Sequence, residues 1–282
     1  MSERAVKPAR RTRRSGYFAE GSMLRRVYRE RVVVLSGPRA LLMQAAHPLA
    51  VHGLLAHSSA LDEPYERLAR TAETMDTIVF GSRAQADRVT RRVRAMHGRV
   101  RGRLSEPVGV YPAGTPYRAD EPQLLLWVLF TLVDSALVVY GRYVRSLARD
   151  ERAAFWEDYK VIGRLFGLAD EDMPDTLAEL DAYRARMLEG EELLVTDWAR
   201  RRARKIVLAP PVPLLARPLL ETVNFVTIAL LPDRIREQYG FSPLPPALMR
   251  KALVAGGADY LKRAVIPFLP GRVRLVPSAR AA

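Results

Sequence analysis

Residues 121–143 read EPQLLLWVLFTLVDSALVVYGRY, and this stretch decides the fold. Its segment from Leu124 to Tyr140 is the longest apolar run of the chain and includes Thr131, Asp134 and Ser135. The run is shorter than the roughly 20 apolar residues that a helix needs to cross a bilayer. We therefore expect a buried helix at the centre of a helical protein.

Apolar residues recur with a helical period along most of the remaining chain, and Gly and Pro fall between the periodic segments. The pattern predicts helices over 21–34, 38–56, 64–79, 82–104, 121–146, 150–166, 175–189, 192–208, 215–229, 232–238 and 245–265. The predicted fold class is all-α, with about ten helices in a single globular domain over residues 21–266. A basic N-terminal arm (1–20), expected to be disordered, and a basic C-terminal tail (267–282) flank this domain.

The composition narrows the possible chemistry. A chain of 282 residues, 49% hydrophobic and with a mean hydropathy of −0.09, can bury a large core. It contains no cysteine, which excludes disulfides, thiolate-ligated haem, iron–sulfur clusters and cysteine zinc sites. Its formal net charge of +14 is typical of proteins that bind nucleic acid, anionic membranes or acidic ligands.

The four histidines of the chain fall in one stretch, at His47, His52, His57 and His97. Without cysteine, imidazole is the side chain best suited to bind haem iron or another transition metal. The first three are five residues apart, so a helix turns each away from the next and they cannot converge on one metal. His97 lies beside an apolar stripe, with Arg94 and Arg101 flanking it as partners for haem propionates. A satisfied histidine at the core boundary is the alternative.

A second constellation consists of Arg67, Arg70 and Thr71, which share one helix face at positions i, i+3 and i+4. Two guanidinium groups and a hydroxyl suit an anionic or oxygen-bearing ligand. The alternative is that both arginines pair with neighbouring glutamates on a solvated face.

Asp134 lies inside the most apolar helix, where an unpaired carboxylate is costly. We expect it to pair with arginines from other helices, with a role as general base as the alternative. The chain has no GxGxxG motif followed by a helix, no Walker loop and no GxSxG motif.

Five blocks of sequence follow one another in a recognisable order. They are GPRALLMQAAHPLAVHGLLAHS (37–58), RLARTAETMDTIVFGSRAQAD (67–87), RVRAMHGRVRG (92–102), LLLWVLFTLVDSALVVY (124–140) and LLPDRIREQYG (230–240). Together they resemble the MpaB and latex-clearing-protein family, most closely its broad bacterial branch. That family consists of all-α haem b oxygenases, among them bacterial rubber oxygenases and a fungal enzyme that cleaves a prenyl side chain.

The resemblance implies roles for particular residues. RAMHGRV matches the helix of the family's haem ligand, which points to His97 as the axial iron ligand, with His47 as the second candidate. The segment from Arg67 to Thr71 matches the family's Arg-x-x-Lys-Thr motif at the oxygen side of the haem. Arg70 replaces the lysine, and an arginine is bulkier and does not lose its proton. The glutamate base of the rubber enzymes has no clear counterpart.

From the resemblance we expect a haem b-dependent oxygenase that uses O₂ on an apolar, unsaturated substrate such as an isoprenoid or lipid. We expect it in the cytoplasm, where its basic tails would bring it to anionic membrane surfaces, and we expect no specific nucleic acid partner. Two alternatives remain: a basic helical binding protein for nucleic acid or a membrane surface, and a haem carrier or sensor without turnover.

Overall fold

The computed structural model describes residues 16–56, 64–208, 214, 217–241 and 270–280, and within helices it leaves the side chains of 54–56, 64–69, 218–219, 272–273 and 280 undescribed. These residues form the predicted all-α fold. They also form one small hairpin, which was not predicted. In chain order the elements are α1 (Met23–Tyr28), a 3₁₀ helix (Arg31–Leu35), α2 (Ser36–Gln44), α3 (Pro48–Ala56), α4 (Pro64–Phe80), α5 (Arg83–His97), β1 (Arg101–Arg103), β2 (Pro116–Arg118), α6 (Pro122–Tyr143), α7 (Arg149–Phe166), a second 3₁₀ helix (Asp170–Asp172), α8 (Leu177–Glu189), α9 (Asp197–Leu208), α10 (Arg217–Ala229), α11 (Asp233–Gln238), α12 (Gly271–Arg274) and α13 (Pro277–Arg280).

Helix α6 is the centre of the core. It begins with Pro122 in its first turn, where a missing N–H costs nothing, and packs against α2 and α7. The helix is 22 residues long and apolar enough to cross a membrane by length and composition, yet 72% of its most apolar window is buried inside the protein. Trp127 is fully buried, and Phe130 is 2% exposed. These features confirm the prediction of a buried core helix.

Asp134, inside this helix, is paired as predicted. Its Oδ2 accepts a hydrogen bond from Arg39 Nη2 at 2.7 Å, and its Oδ1 accepts one from Arg184 Nε at 3.1 Å. Arg39 is only 1% exposed and also donates to Ser135 Oγ (2.7 Å) and to the Leu230 carbonyl (2.8 Å). The Arg39 guanidinium therefore links α2 to α6 and to the end of α10, and each of its three nitrogens donates a hydrogen bond.

Three predicted helices differ from the structure. The helix expected over 21–34 is divided into α1 and the first 3₁₀ helix, because Glu30 between them is extended and pairs with Leu275. The helix expected over 82–104 ends at His97, and residues 101–103 pair with 116–118 in an antiparallel hairpin. Gly102 explains the difference, because a Cβ there would lie 2.4 Å from the Tyr117 hydroxyl, so glycine lets the strand lie against that ring. The helix expected over 38–56 is interrupted at residues 45–47, since Pro48 has no N–H to continue it and begins α3 instead. The helix expected over 245–265 lies outside the described residues.

Parts of both predicted flanking segments contact the helical body. Phe18 is 4% exposed, and the neighbouring Tyr17 hydroxyl donates to Asp87 at 2.5 Å. In the C-terminal segment, Arg274 forms two hydrogen bonds to the buried Glu30, at 2.7 and 2.9 Å. Residues 270–280 therefore lie against the first 3₁₀ helix (Arg31–Leu35) and α4.

Candidate functional site

Helices α4 and α5 form an antiparallel pair, because only Gly81 and Ser82 join them and they pack along their length. The turn is tight: a Cβ on Gly81 would lie 2.4 Å from the Thr77 carbonyl oxygen. Ser82 caps α5 through a capping box: the Ser82 hydroxyl oxygen accepts from the Gln85 N–H, and Gln85 Oε1 accepts from the Ser82 N–H. In an ideal antiparallel pair, whose helices rise equally per residue, His97 at the end of α5 would lie level with residues 66–67 of α4.

The inner face of this pair is sealed at the end near the turn. On α4, Met75, Ile78 and Val79 are at most 7% exposed, and on α5 Ala86 and Thr90 are buried. The Thr90 hydroxyl donates to the Ala86 carbonyl of its own helix at 2.9 Å. Every polar group described on this part of the face therefore has a partner.

The opposite end of the same face is open. Thr71 precedes Met75 by four residues and Ile78 by seven, so it continues the buried face of α4, yet it is exposed. On α5, Val93 and His97 continue the face of Ala86 and are half-buried. The antiparallel register would place Thr71, His97 and the backbone of Arg67 at the same end of the pair, and their grouping into one site stays a prediction.

The four arginines predicted to belong to the site do not all lie at this open end. Arg70 is exposed, and the side chain of Arg67 lies outside the described residues. The Arg94 guanidinium packs over Gly167 at the end of α7, within 3.3 Å of where a Cβ on that glycine would lie. Arg101 donates from Nη2 to the Gly98 carbonyl at 2.8 Å. The described contact of Arg94 is therefore with the end of α7, and that of Arg101 is with the backbone just after α5.

Helix α3 and strand β2 contact the chain that leaves this open end. A Cβ on Gly53 would lie 3.5 Å from Val100 Cγ1 and 3.9 Å from the Tyr117 ring. Next to it, His52 stacks on Trp198 of α9 with ring centroids 5.0 Å apart, and lies 6.2 Å from Tyr117. The sequence analysis did not identify these aromatic residues, because only the tertiary fold brings α3, β2 and α9 together.

The tautomer of His52 follows from its surroundings. Its Nδ1 lies 2.7 Å from the Pro48 carbonyl oxygen, which can only accept, so Nδ1 carries the proton and donates. In the neutral ring, Nε2 is then the acceptor. A backbone carbonyl that fixes the tautomer in this way also orients the ring.

His47 lies in the closed core and not at the open end. It is 4% exposed, with Tyr111 and Trp127 rings 5.7 and 6.4 Å away. Burial lowers its pKa from 6.5 to about 4, so the ring is neutral at pH 7. Its Nε2 lies 3.4 Å from the Tyr111 hydroxyl, and Nδ1 has no hydrogen-bond partner within the described structure. His57, the fourth histidine, lies outside the described residues.

The donor set at the open end suits haem better than a bare metal ion. Among the described residues, no group of three or more His, Asp or Glu side chains could hold a metal ion. A haem iron, in contrast, needs one imidazole from the protein, and its propionates need cations or N–H groups. The half-buried His97 offers such an imidazole, whereas the described contacts of Arg94 and Arg101 are with backbone.

A separate cleft lies between α6, α7 and α8. Its volume is about 290 Å³, its floor includes Phe130 and Leu180, and the ion pairs of Asp134 with Arg184 and of Asp181 with Arg152 lie at its rim. No histidine lines it. It is therefore distinct from the predicted haem site.

Comparison with known proteins gives one match. Residues 24–262 match a family model described as "ER-bound oxygenase mpaB/B'/Rubber oxygenase, catalytic domain". No curated protein and no solved structure matches the chain. The matched range covers every element from α1 to α11, including the open end of the α4–α5 pair.

Proposed function

Because the chain belongs to the mpaB and rubber oxygenase catalytic-domain family, we propose that it is a haem b-dependent oxygenase of apolar, unsaturated substrates. Membership of an oxygenase family implies a small-molecule substrate and O₂. The haem, the substrate class and the residues that serve them are the parts that we propose. Haem, when bound, would supply the iron that activates O₂.

The open inner face of the α4–α5 pair is the observation that carries this proposal. It is a face built to be buried, yet at the His97 end Thr71 is exposed and Val93 and His97 are half-buried. A face with this pattern in a soluble domain is completed by a ligand or by another part of the chain. A flat, largely apolar macrocycle next to His97 would complete it.

Each residue then has a distinct task. His97 would hold the iron through a ring nitrogen, while its helix, capped at Ser82 and sealed near the turn, fixes the position of the ring. Thr71 would donate its hydroxyl hydrogen, and Arg67 would supply a permanent positive charge at the same end. Arg70 keeps its proton at any physiological pH, so it could bind an anion but not act as a base.

The substrate class follows from the surrounding side chains. Val93, Val100, Tyr117 and Trp198 are aliphatic or aromatic, and they lie on or next to the elements that surround the open end. Apolar side chains favour substrates whose transfer from water gains free energy, such as an isoprenoid or a lipid chain. The net charge of +14 supports peripheral association with anionic membranes, where such substrates dissolve, and we propose that this takes place in the cytoplasm.

The absorption spectrum of protein expressed with haem supply tests the proposal. We expect a strong Soret band that is lost or shifted in His97→Ala, because the axial nitrogen is removed. His47→Leu is the control, since His47 lies in the closed core, and its Soret band should be unchanged. A colourless wild type would overturn haem binding, and loss of the band only in the folded His47→Leu protein would make His47 the ligand. Consumption of O₂ with an unsaturated isoprenoid then separates an oxygenase from a haem carrier.

A further inference from the structure

The arginines of α5 and β1 differ from those in the rest of the structure. Residues 83–103 contain eight arginines and one acidic residue, Asp87, and all eight arginines are exposed. They are Arg83, Arg88, Arg91, Arg92, Arg94, Arg99, Arg101 and Arg103. We call this set the arginine surface.

No member of the arginine surface forms an ion pair with a carboxylate among the described residues. The contacts that are present are with uncharged groups: Arg101 donates to the Gly98 carbonyl, Arg103 donates to the Gly114 carbonyl at 2.9 Å, and Arg83 donates to the Gly16 carbonyl and lies over the Tyr17 ring. Backbone carbonyls carry no net charge, so these bonds fix the side chains without neutralising them. Asp87 on the same helix and Asp120, which interacts electrostatically with Arg101, offset part of this charge, and the surface keeps a net positive potential for a partner.

The neighbouring region shows the opposite arrangement. Residues 150–192 contain thirteen acidic residues and five basic ones. Arg152, Lys160, Arg164 and Arg184 of this region all pair with carboxylates, at distances between 2.6 and 3.1 Å. The chain thus separates its charge, and a protein with such a separation takes a fixed orientation next to a surface of one sign.

An apolar side chain lies within the arginine surface. Met96 is 54% exposed, on the helix turn between Arg92 and Arg99. It is next to His97, at the open end of the α4–α5 pair. A flexible methionine among arginines suits the boundary between lipid head groups and acyl chains, whereas a nucleic acid backbone offers it no apolar contact.

We propose that the arginine surface, with Met96 at its end, binds an anionic lipid membrane. The arginines contact lipid phosphates, Met96 enters the interfacial region, and the open end with His97 is brought close to the acyl chains. This inference rests on the proposed function for its apolar substrate, since substrates dissolved in the bilayer would then reach the site without crossing water. It differs from association through the basic tails, because it places the contact on the folded domain.

Sedimentation with lipid vesicles tests the proposal, with the full chain and two charge-matched double variants. Arg88→Glu/Arg92→Glu reverses two charges of the arginine surface, and Arg201→Glu/Lys205→Glu reverses two exposed charges of α9. We expect the wild type to bind phosphatidylcholine vesicles only when phosphatidylglycerol is included, and to dissociate at high salt. The first variant should bind at least about 30-fold more weakly, at about 1 kcal/mol for each basic residue lost, and the second should bind within a few-fold of the wild type. Met96→Ser should weaken the binding that persists at moderate salt.

Three outcomes would overturn the inference: no binding to anionic vesicles, equal loss in both double variants, or binding to duplex DNA but not to vesicles. Equal loss would place the contact on the tails or on net charge alone. The Soret band, recorded on the same samples, separates this inference from the proposed function. If the protein binds haem but not vesicles, only the proposed role of the arginine surface is contradicted. If it binds vesicles but not haem, only the proposed haem site is contradicted.

Discussion

The core around α6 and the open end of the α4–α5 pair differ in how far their inward-facing side chains are buried. Around α6, the buried polar groups of Asp134, Arg39 and Ser135 satisfy one another, and the large apolar side chains are almost inaccessible. At the open end, the buried face continues in sequence but Thr71 on it is exposed. In the proposed function, the first region supplies stability and the second would be kept for a ligand.

Arg39→Met should give the largest effect, because it leaves Asp134 buried without its main cation. We expect the free energy of unfolding to fall by about 3 to 5 kcal/mol, as for other broken buried ion pairs. Urea unfolding measures it, and the Soret band of the remaining folded protein should be unchanged. Arg152→Met is the matched control, since its pair with Asp181 is exposed and should contribute less than about 1 kcal/mol. Equal losses in both variants would contradict a special role for the buried pair.

The second prediction concerns His47, the histidine of the closed core. Its pKa is about 6.5 in the unfolded chain and about 4 in the folded protein. Between these values the unfolded state binds more protons, so stability is fully present above pH 6.5 and is lost as the pH falls towards 4. The full difference corresponds to about 3 kcal/mol.

His47→Phe removes this titration and keeps a ring in the core. The loss of unfolding free energy between pH 7 and pH 4.5 should therefore be smaller in the variant, by about 2 to 3 kcal/mol. Carboxylates also titrate in this range, but they are common to both proteins and cancel in the comparison. An equal pH dependence in the two proteins would show that His47 is already hydrated in the folded state.

The sequence predicted the closed region better than the open one, for physical reasons. The period of residues 121–143 and the isolated carboxylate of Asp134 each restrict the possible structures, so a buried helix and an ion pair follow. The motif from Arg67 to Thr71 and the position of His97 predict a site at one end of a helix pair, and that site stays a prediction. In contrast, Gly98 and Gly102 lie in an Arg- and Val-rich pattern that suits a helix, and only contact with Tyr117 makes that segment a strand.

Contacts between residues far apart in the chain could not be predicted from local sequence patterns. The stacking of His52 on Trp198 joins positions far apart in the chain, and the packing of Arg94 over Gly167 directs that arginine towards α7. Neither follows from the periodicity of one helix. The predicted site residues therefore stay predictions until haem binding is measured, whereas the helical framework that holds them is established by the structure.

Thr71→Val gives the smallest expected change in stability and the sharpest test of the comparison. The side chain is exposed, so we expect the free energy of unfolding to change by no more than about 0.5 kcal/mol. If Thr71 donates a hydrogen bond to the ligand of the iron, the affinity of the haem-loaded ferric protein for azide should fall about 5- to 30-fold. Azide titration followed in the Soret region measures this, with the wild type alongside.

Thr77→Val makes the same substitution on the same helix, at its sealed end, where Thr77 is half-buried. Its azide affinity should equal that of the wild type, since no ligand lies near that end of the pair. A fall in affinity in both variants would mean that the whole helix responds, and the division into a sealed and an open end would fail. A fall in Thr71→Val alone, at unchanged stability, would show that this exposed hydroxyl serves the ligand and not the fold, because stability and ligand affinity then separate at a single side chain.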